Sequence, residues 1–218
     1  MRKQMSESLP VGILLAVSGG LMDAYSYLYR GQVFANAQTG NVLLFSVYLS
    51  KGEWEAALHY VFPIVAFLSG VALATFICHF GRYRKWLHWR QICVLFEAAV
   101  LFLVAWIPQS ANLLANSLIS LVCGVQVETF RKVDDASVAT TMCIGNLRSA
   151  THSAIMCGLI NRCEDRHNAY ISSAMVLSFA FGAVLGSILI RSLGAFSVCC
   201  GTVIMLICFI LMFFSSQR

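Results

Sequence analysis

Charge is scarce in this chain: 11% of its 218 residues are Asp, Glu, Lys or Arg, and 59% are hydrophobic. Soluble domains carry about a quarter charged and about half apolar residues, so the shortage excludes an ordinary soluble domain. Enzyme motifs are missing as well. No Gly-rich phosphate loop closes on Lys-Ser/Thr, and HExxH and GxSxG are absent. Ser18 beside Gly19 has no partnered base. The chain is therefore read as neither an enzyme nor a cofactor-binding protein. Its nine cysteines lack paired metal spacing. Most lie inside apolar segments, where a thiol packs as a small hydrophobe, and adjacent Cys199 and Cys200 do not form a CxxC. No small-residue cleavage site precedes the first long apolar run, which is expected to remain as a helix.

What the chain does have is long apolar runs: about 10 to 29, 33 to 50, 58 to 80, 92 to 107, 111 to 130, 137 to 160, 169 to 190 and 195 to 214. Several approach the roughly 20 residues needed to cross a bilayer. Connections are short, which implies one membrane domain over 1–218, in halves 1–107 and 108–218. The net charge of +5 sits in the loops between these runs, as topology requires, so no nucleic-acid partner is expected. Trp54, Trp86, Trp89 and Trp106 flank the runs as interfacial anchors.

Loop charge chooses between topologies. If the second and sixth runs dip in and return, Arg2, Lys3, Arg82, Arg84, Lys85, Arg90, Arg131, Lys132, Arg162, Arg166 and Arg218 share one face, opposed by Arg30, Lys51 and Arg191, eleven against three. If all eight cross, the split is eight against six. Because cytoplasmic loops hold the excess of Lys and Arg, the first arrangement is preferred, with both termini cytoplasmic, and an eight-helix amphipathic bundle stays open. The fold class expected is all-α, a polytopic helical bundle of six spans plus two polar re-entrant or amphipathic segments in a 3+3 inverted repeat. A shift of 105 residues aligns Gly19 with Gly124, Asp23 with Glu128, Gly40 with Gly145 and Asn41 with Asn146; a shift of 112 aligns Phe67, Gly70 and Ala74 with Phe179, Gly182 and Gly186.

Polarity gathers in Gly19–Asn41, GGLMDAYSYLYRGQVFANAQTGN. A helix broken at membrane depth must satisfy its freed backbone groups in protein or a wet cavity, because lipid offers no partners. Gly-Gly-Leu-Met-Asp at 19–23 and FANAQTGN at 34–41 resemble the YoaK-like transmembrane proteins of bacteria. That resemblance implies a polytopic inner-membrane protein and carries no reaction, ligand or cofactor.

The candidate substrate-binding residues follow from chemistry. Asp23 and Glu128 are carboxylates in apolar surroundings, costly unless paired, hydrated or protonated; pairing with Arg148 is the bland alternative. Asn36, Gln38, Thr39, Gly40 and Asn41 supply donors and acceptors, and Thr39 or Asn41 is expected to cap a half-helix over Val42–Leu49. Thr141, Gly145, Arg148 and His152 fall on one face of a helix, next to Asn146. Gly182 and Gly186, with Gly70 and Ala74, let helices approach closely, within the chain or in a homodimer. The reading is a transporter- or channel-like protein of the bacterial inner membrane, its partners the lipid bilayer and a small polar solute or ion. The alternative is a scaffold or sensor whose polar motif is structural.

Overall fold

The computed structural model describes residues 5–81, 88–160 and 163–214. Trp86 and the loop charges Arg2, Lys3, Arg82, Arg84, Lys85, Arg162 and Arg218 lie outside that range. Among the described residues eight α-helices follow one another: α1 Leu9–Tyr29, α2 Gln38–Ser50, α3 Trp54–Gly81, α4 Trp89–Val104, α5 Asn112–Thr129, α6 Ile144–Ile160, α7 Cys163–Leu193 and α8 Cys199–Leu211. Each of the eight apolar runs yields one helix. Four helical stretches among the described residues are long and apolar enough to cross a membrane: Leu9–Tyr29, Trp54–Gly81, Gln109–Thr129 and the run Glu164–Leu211 that holds most of α7 and α8.

The fold is all-α, as expected, with one small departure from helix. A two-stranded antiparallel hairpin, β1 Lys132–Val133 and β2 Ala136–Ser137, lies between α5 and α6. Asp134 and Asp135 turn it with φ of 47° and 71°, the paired positive values of a two-residue hairpin turn, which Asp tolerates better than bulkier residues. The hairpin ties down the start of the chain, since Asp134 N–H donates to the Glu7 carbonyl at 2.7 Å. Glu7 also pairs with Arg90 at 2.6 Å.

Helix α1 is the axis of the molecule. Pro10 stands in its first turn, where a fixed φ and a missing N–H cost nothing. Gly31 and Gln32 end it with φ of 89° and 60°. Two-thirds of its most apolar stretch is buried, against 17% in α3, so α1 is surrounded by protein and α3 faces outward. Leu15, Met22 and Tyr25 of α1 pack with Val94 and Leu101 of α4, Ile119 and Cys123 of α5, and Met205 of α8.

Two close helix contacts hold this bundle, and they are built alike. Helix α1 lies along α7 and α3 along α5. A Cβ on Gly20 would overlap the Phe179 carbonyl, and one on Gly182 would overlap Val17 O. In the other pair, a Cβ on Gly124 would overlap Phe67 O and one on Gly70 would overlap Leu121 O. Backbones approach this closely only over small residues. The stripe of Gly182 and Gly186 is thus occupied within the chain, by Val17, Leu21 and Ala24 of α1.

Helices α2 and α6 are peripheral. Asn41 is the one buried residue of α2, while Val42 and Leu43 are exposed, as are Ile144 and Leu147 of α6. In α6 the residues drawn inward are Asn146 and Ser153. Each peripheral helix folds back on the one after it, α2 on α3 and α6 on α7.

Candidate functional site

The chain before α2 runs back along α1. After Gly31 it is extended, and Asn36 reaches the middle of the helix: its side-chain Nδ2 donates to Gly19 O at 2.9 Å, and its backbone N–H donates to Asp23 Oδ1 at 2.9 Å. Ala35 N–H donates to Ser26 Oγ at 3.2 Å, and Ser120 Oγ of α5 donates to Ala35 O at 3.1 Å. The freed backbone of this segment is therefore satisfied largely by side chains of α1 and α5.

The amides also bind one another. Gln38 Nε2 donates to Ala35 O at 2.7 Å, and Asn41 Nδ2 donates to Phe34 O at 2.8 Å and Gln38 Oε1 at 3.1 Å. Helix α2 begins at Gln38, with Ala37 at its N-cap and no side-chain cap. The expectation that Thr39 or Asn41 caps a helix starting at Val42 is thus corrected. Thr39 is exposed on the first turn, Gly40 is partly buried, and Asn41 points back to brace the loop.

The chain before α6 makes a second approach to α1. Gly19 lies under it: a Cβ there would sit 2.9 Å from Thr140 O and 3.3 Å from Thr141 Cα. Gln126 of α5 braces this segment, donating from Nε2 to Thr140 Oγ1 at 2.9 Å and to Leu15 O at 3.0 Å. Asn146 closes it, donating to Ala139 O at 2.6 Å and Met142 O at 3.1 Å while accepting from Ala139 N–H at 3.1 Å. Thr141 precedes the helix, which starts at Ile144, so the expected four-residue stripe keeps only Gly145, Arg148 and His152 on α6. A stripe of four requires a helix that includes Thr141, but β2 takes Ser137 and residues 138–143 form an irregular segment before α6.

Glu128 stands at the end of α5 and pairs with a neighbour other than Arg148. It is partly exposed and faces Arg131 at 3.6 Å, one turn on. Asp23 differs: among the described residues no cation lies within ion-pair distance of it, and none of the carboxylates reaches Arg148. The alternative of an Asp23–Arg148 pair is therefore not what the structure contains. Arg148 instead lines an open cleft of about 490 Å³ with Glu128, Arg131, Ser137, Asn146 and Ser149. It also lines an adjoining one of about 230 Å³ with His152, Ser153, Asn168 and Ser172. Gly145 borders the larger cleft, with nothing within 4 Å of where its Cβ would be.

A family described as proteins of unknown function, DUF1275, matches residues 11–211. The chain belongs to the DUF1275 family. It is also similar to the UPF0700 transmembrane protein YoaK of Bacillus subtilis (strain 168), with 25% identity over 143 residues, 62% of this chain and 62% of that one. The resemblance to YoaK-like proteins read from residues 19–23 and 34–41 is correct, and this DUF1275 chain is a transmembrane protein of a family without an assigned activity. The match spans less than two-thirds of YoaK's length. No solved structure matches the DUF1275 chain.

Sequence reasoning missed three groups that position the site in this DUF1275 protein. Arg30 was assigned to an outer loop, yet it is fully buried. It donates to Tyr25 OH at 3.0 and 2.8 Å, to Val104 O at 3.0 Å, to Pro108 O at 3.2 Å and to Asn112 Oδ1 at 3.3 Å. It thereby fixes the far end of α1 to the α4–α5 turn. The other two are Gln126, described above, and Asn116, whose Nδ2 donates to Arg30 O at 2.7 Å. Polar residues one turn apart on α5, Asn116 and Ser120, were the available signal.

Proposed function

We propose that this protein moves or admits a small polar solute or ion across the bacterial inner membrane, through six crossings and two re-entrant segments. One observation carries the reading: both interrupted segments lie against α1 at Gly19 to Asp23, the middle of a 21-residue apolar helix. At 1.5 Å per residue Gly19 is about 15 Å from either end, half the roughly 30 Å hydrocarbon thickness, and Asp23 is about 9 Å from the C-terminal end. In this arrangement α1, α3, α4, α5, α7 and α8 cross, and α2 and α6 enter from opposite faces with both termini cytoplasmic. Their N-terminal ends then sit at mid-depth, where broken-helix carriers bind their cargo.

An inverted repeat fits the same features. The Gly20–Phe179 and Gly182–Val17 contacts have counterparts in Gly124–Phe67 and Gly70–Leu121, and the Asn41–Phe34 bond has one in Asn146–Ala139. The glycine contacts pair Gly20, not Gly19, with Gly124. That register sets Glu128 one position beyond the counterpart of Asp23, in keeping with its different surroundings. The cleft at Arg148, with Asn146 and Ser149, is the entry for solute on the cytoplasmic side.

The test is flux. Protein reconstituted in liposomes is assayed by light scattering with a panel of urea, polyols, amino acids and small carboxylates. At least one solute is expected to enter about tenfold faster than in protein-free vesicles, and Arg148→Gln is expected to lose that flux with its melting temperature unchanged. No flux and no ligand-induced stabilisation across the panel overturns the proposal. The scaffold or sensor reading would then take its place, favoured by the way Gln38 and Asn41 satisfy the loop and each other.

A further inference from the structure

Asp23 lies about two-thirds of the way along α1, accepting a hydrogen bond from the Asn36 backbone N–H, with no cation within ion-pair distance among the described residues. Buried acceptor oxygens on the segments that meet there are left without partners. Asn36 Nδ2 is used on Gly19 O and Asn41 Nδ2 on Phe34 O. Both carbonyls only accept, which fixes the orientation of each amide. Asn36 Oδ1 and Asn41 Oδ1 then have no partner, although their residues are 1% and 0% exposed. Thr141 Oγ1, on the opposite segment as it passes over Gly19, is likewise unpartnered at 2% exposure.

We infer that Asp23 anchors a binding site for a monovalent cation at the crossing of the two segments, with Asn36 Oδ1 and Thr141 Oγ1 as further oxygen donors. The inference deepens the solute reading, on which it rests only for the role of the ion as companion to the cargo. A carboxylate among acceptor oxygens repels anions and offers nothing to a solute that only accepts hydrogen bonds. A cation completes both the charge and the missing contacts. It is monovalent because Asp23 supplies one negative charge, and a divalent ion would leave net charge in an apolar slab. Carboxylate, amide and hydroxyl oxygens suit hard alkali ions, and an ammonium group can donate to the same atoms.

Full-length protein in detergent is titrated with the chlorides of sodium, potassium, ammonium and choline at constant ionic strength while its melting temperature is followed. One of the first three is expected to give a saturable rise over choline, and the ammonium arm separates an ammonium-type ligand from an alkali ion. Asp23→Asn and Thr141→Val are each expected to weaken half-saturation by about tenfold. Glu53→Gln, which alters an exposed carboxylate in the α2–α3 turn, is expected to titrate as the parent does. Four identical salt curves, or an Asp23→Asn variant that titrates normally, overturn the inference. If Asp23→Asn does not fold, Thr141→Val decides, weakened titration supporting the site and a parental curve overturning it. Identical salt curves with solute flux intact overturn the ion site and spare the transport reading; saturable cation binding with no solute or ion flux does the reverse.

Discussion

Asn41 and Asn146 make equivalent bonds, each donating its side-chain amide to the carbonyl oxygen seven residues earlier, Phe34 at 2.8 Å and Ala139 at 2.6 Å. Each is also a buried residue of an otherwise outward-facing helix. Removing either amide leaves a buried carbonyl without its donor, which costs about 1–3 kcal/mol. Asn41→Ala and Asn146→Ala are therefore expected to lower thermal stability in detergent, and the double variant to lose close to the sum, since the two bonds share no partner. Unchanged melting with lost flux would instead make these asparagines cargo contacts.

The glycines divide into two kinds. Gly20 and Gly124 face a carbonyl that a Cβ would overlap, whereas Gly145 faces open space. Gly20→Ala and Gly124→Ala are expected to cost about 1–3 kcal/mol or more, the cost of overpacking against unyielding backbone. Gly145→Ala removes backbone entropy from the start of a helix and is expected to be neutral or to stabilise by up to about 1 kcal/mol. Thermal melts of the three variants on size-exclusion-pure protein check the contrast.

Arg30 is held by carbonyls, a phenol and the rings of Tyr25 and Tyr29, each 5.3 Å from its guanidinium carbon. Tyr25→Phe withdraws the acceptor for two of its N–H groups at a cost of about 1–3 kcal/mol. Arg30→Lys cannot reproduce the planar fork and is expected to lose more. The order of stability parent, Tyr25→Phe, Arg30→Lys is the outcome to measure, and a fully stable Arg30→Lys would show that the fork is dispensable.

Glu97 is the opposite case. It is fully buried among the side chains of α4, α5 and α8, and neither carboxyl oxygen has a partner. Replacing an unsatisfied polar group by an apolar one of similar shape is neutral or stabilising. Glu97→Met is thus expected to match or exceed the parent in melting temperature. A marked loss would show that the carboxyl has a partner essential to the fold.

Single cysteines at positions 53 and 165, in a background without other reactive thiols, test the topology in oriented vesicles. The turn after α2 and the start of α7 are expected to label from opposite faces. Labelling from one face excludes the six-crossing arrangement.

Much of the fold was legible because hydrophobic runs report helices directly, and all eight runs became helices. Where α2 and α6 start was not legible. Val33, Phe34 and Ala35 are as apolar as a helix, and so is Val138; what keeps these segments out of helix is side-chain hydrogen bonds from Asp23, Ser26, Ser120, Gln126 and Asn146, which hydropathy does not report. The Thr141 stripe failed for the same reason, since helical spacing has meaning only inside a helix. The approach of Asn36 to Asp23 was half legible, as two polar clusters in one motif. Arg30 was read as loop because a charge beside glycine usually is one, and the partners that bury it come from its own helix and from the α4–α5 turn.

Helix α2 is fastened to the buried interior at its foot and lies in contact with α3 above it, its outward flank bare. Asn41 is the residue by which the interior grips this helix. Substitutions along the bare flank therefore leave that grip intact, whereas a change at Asn41 frees the helix at its root.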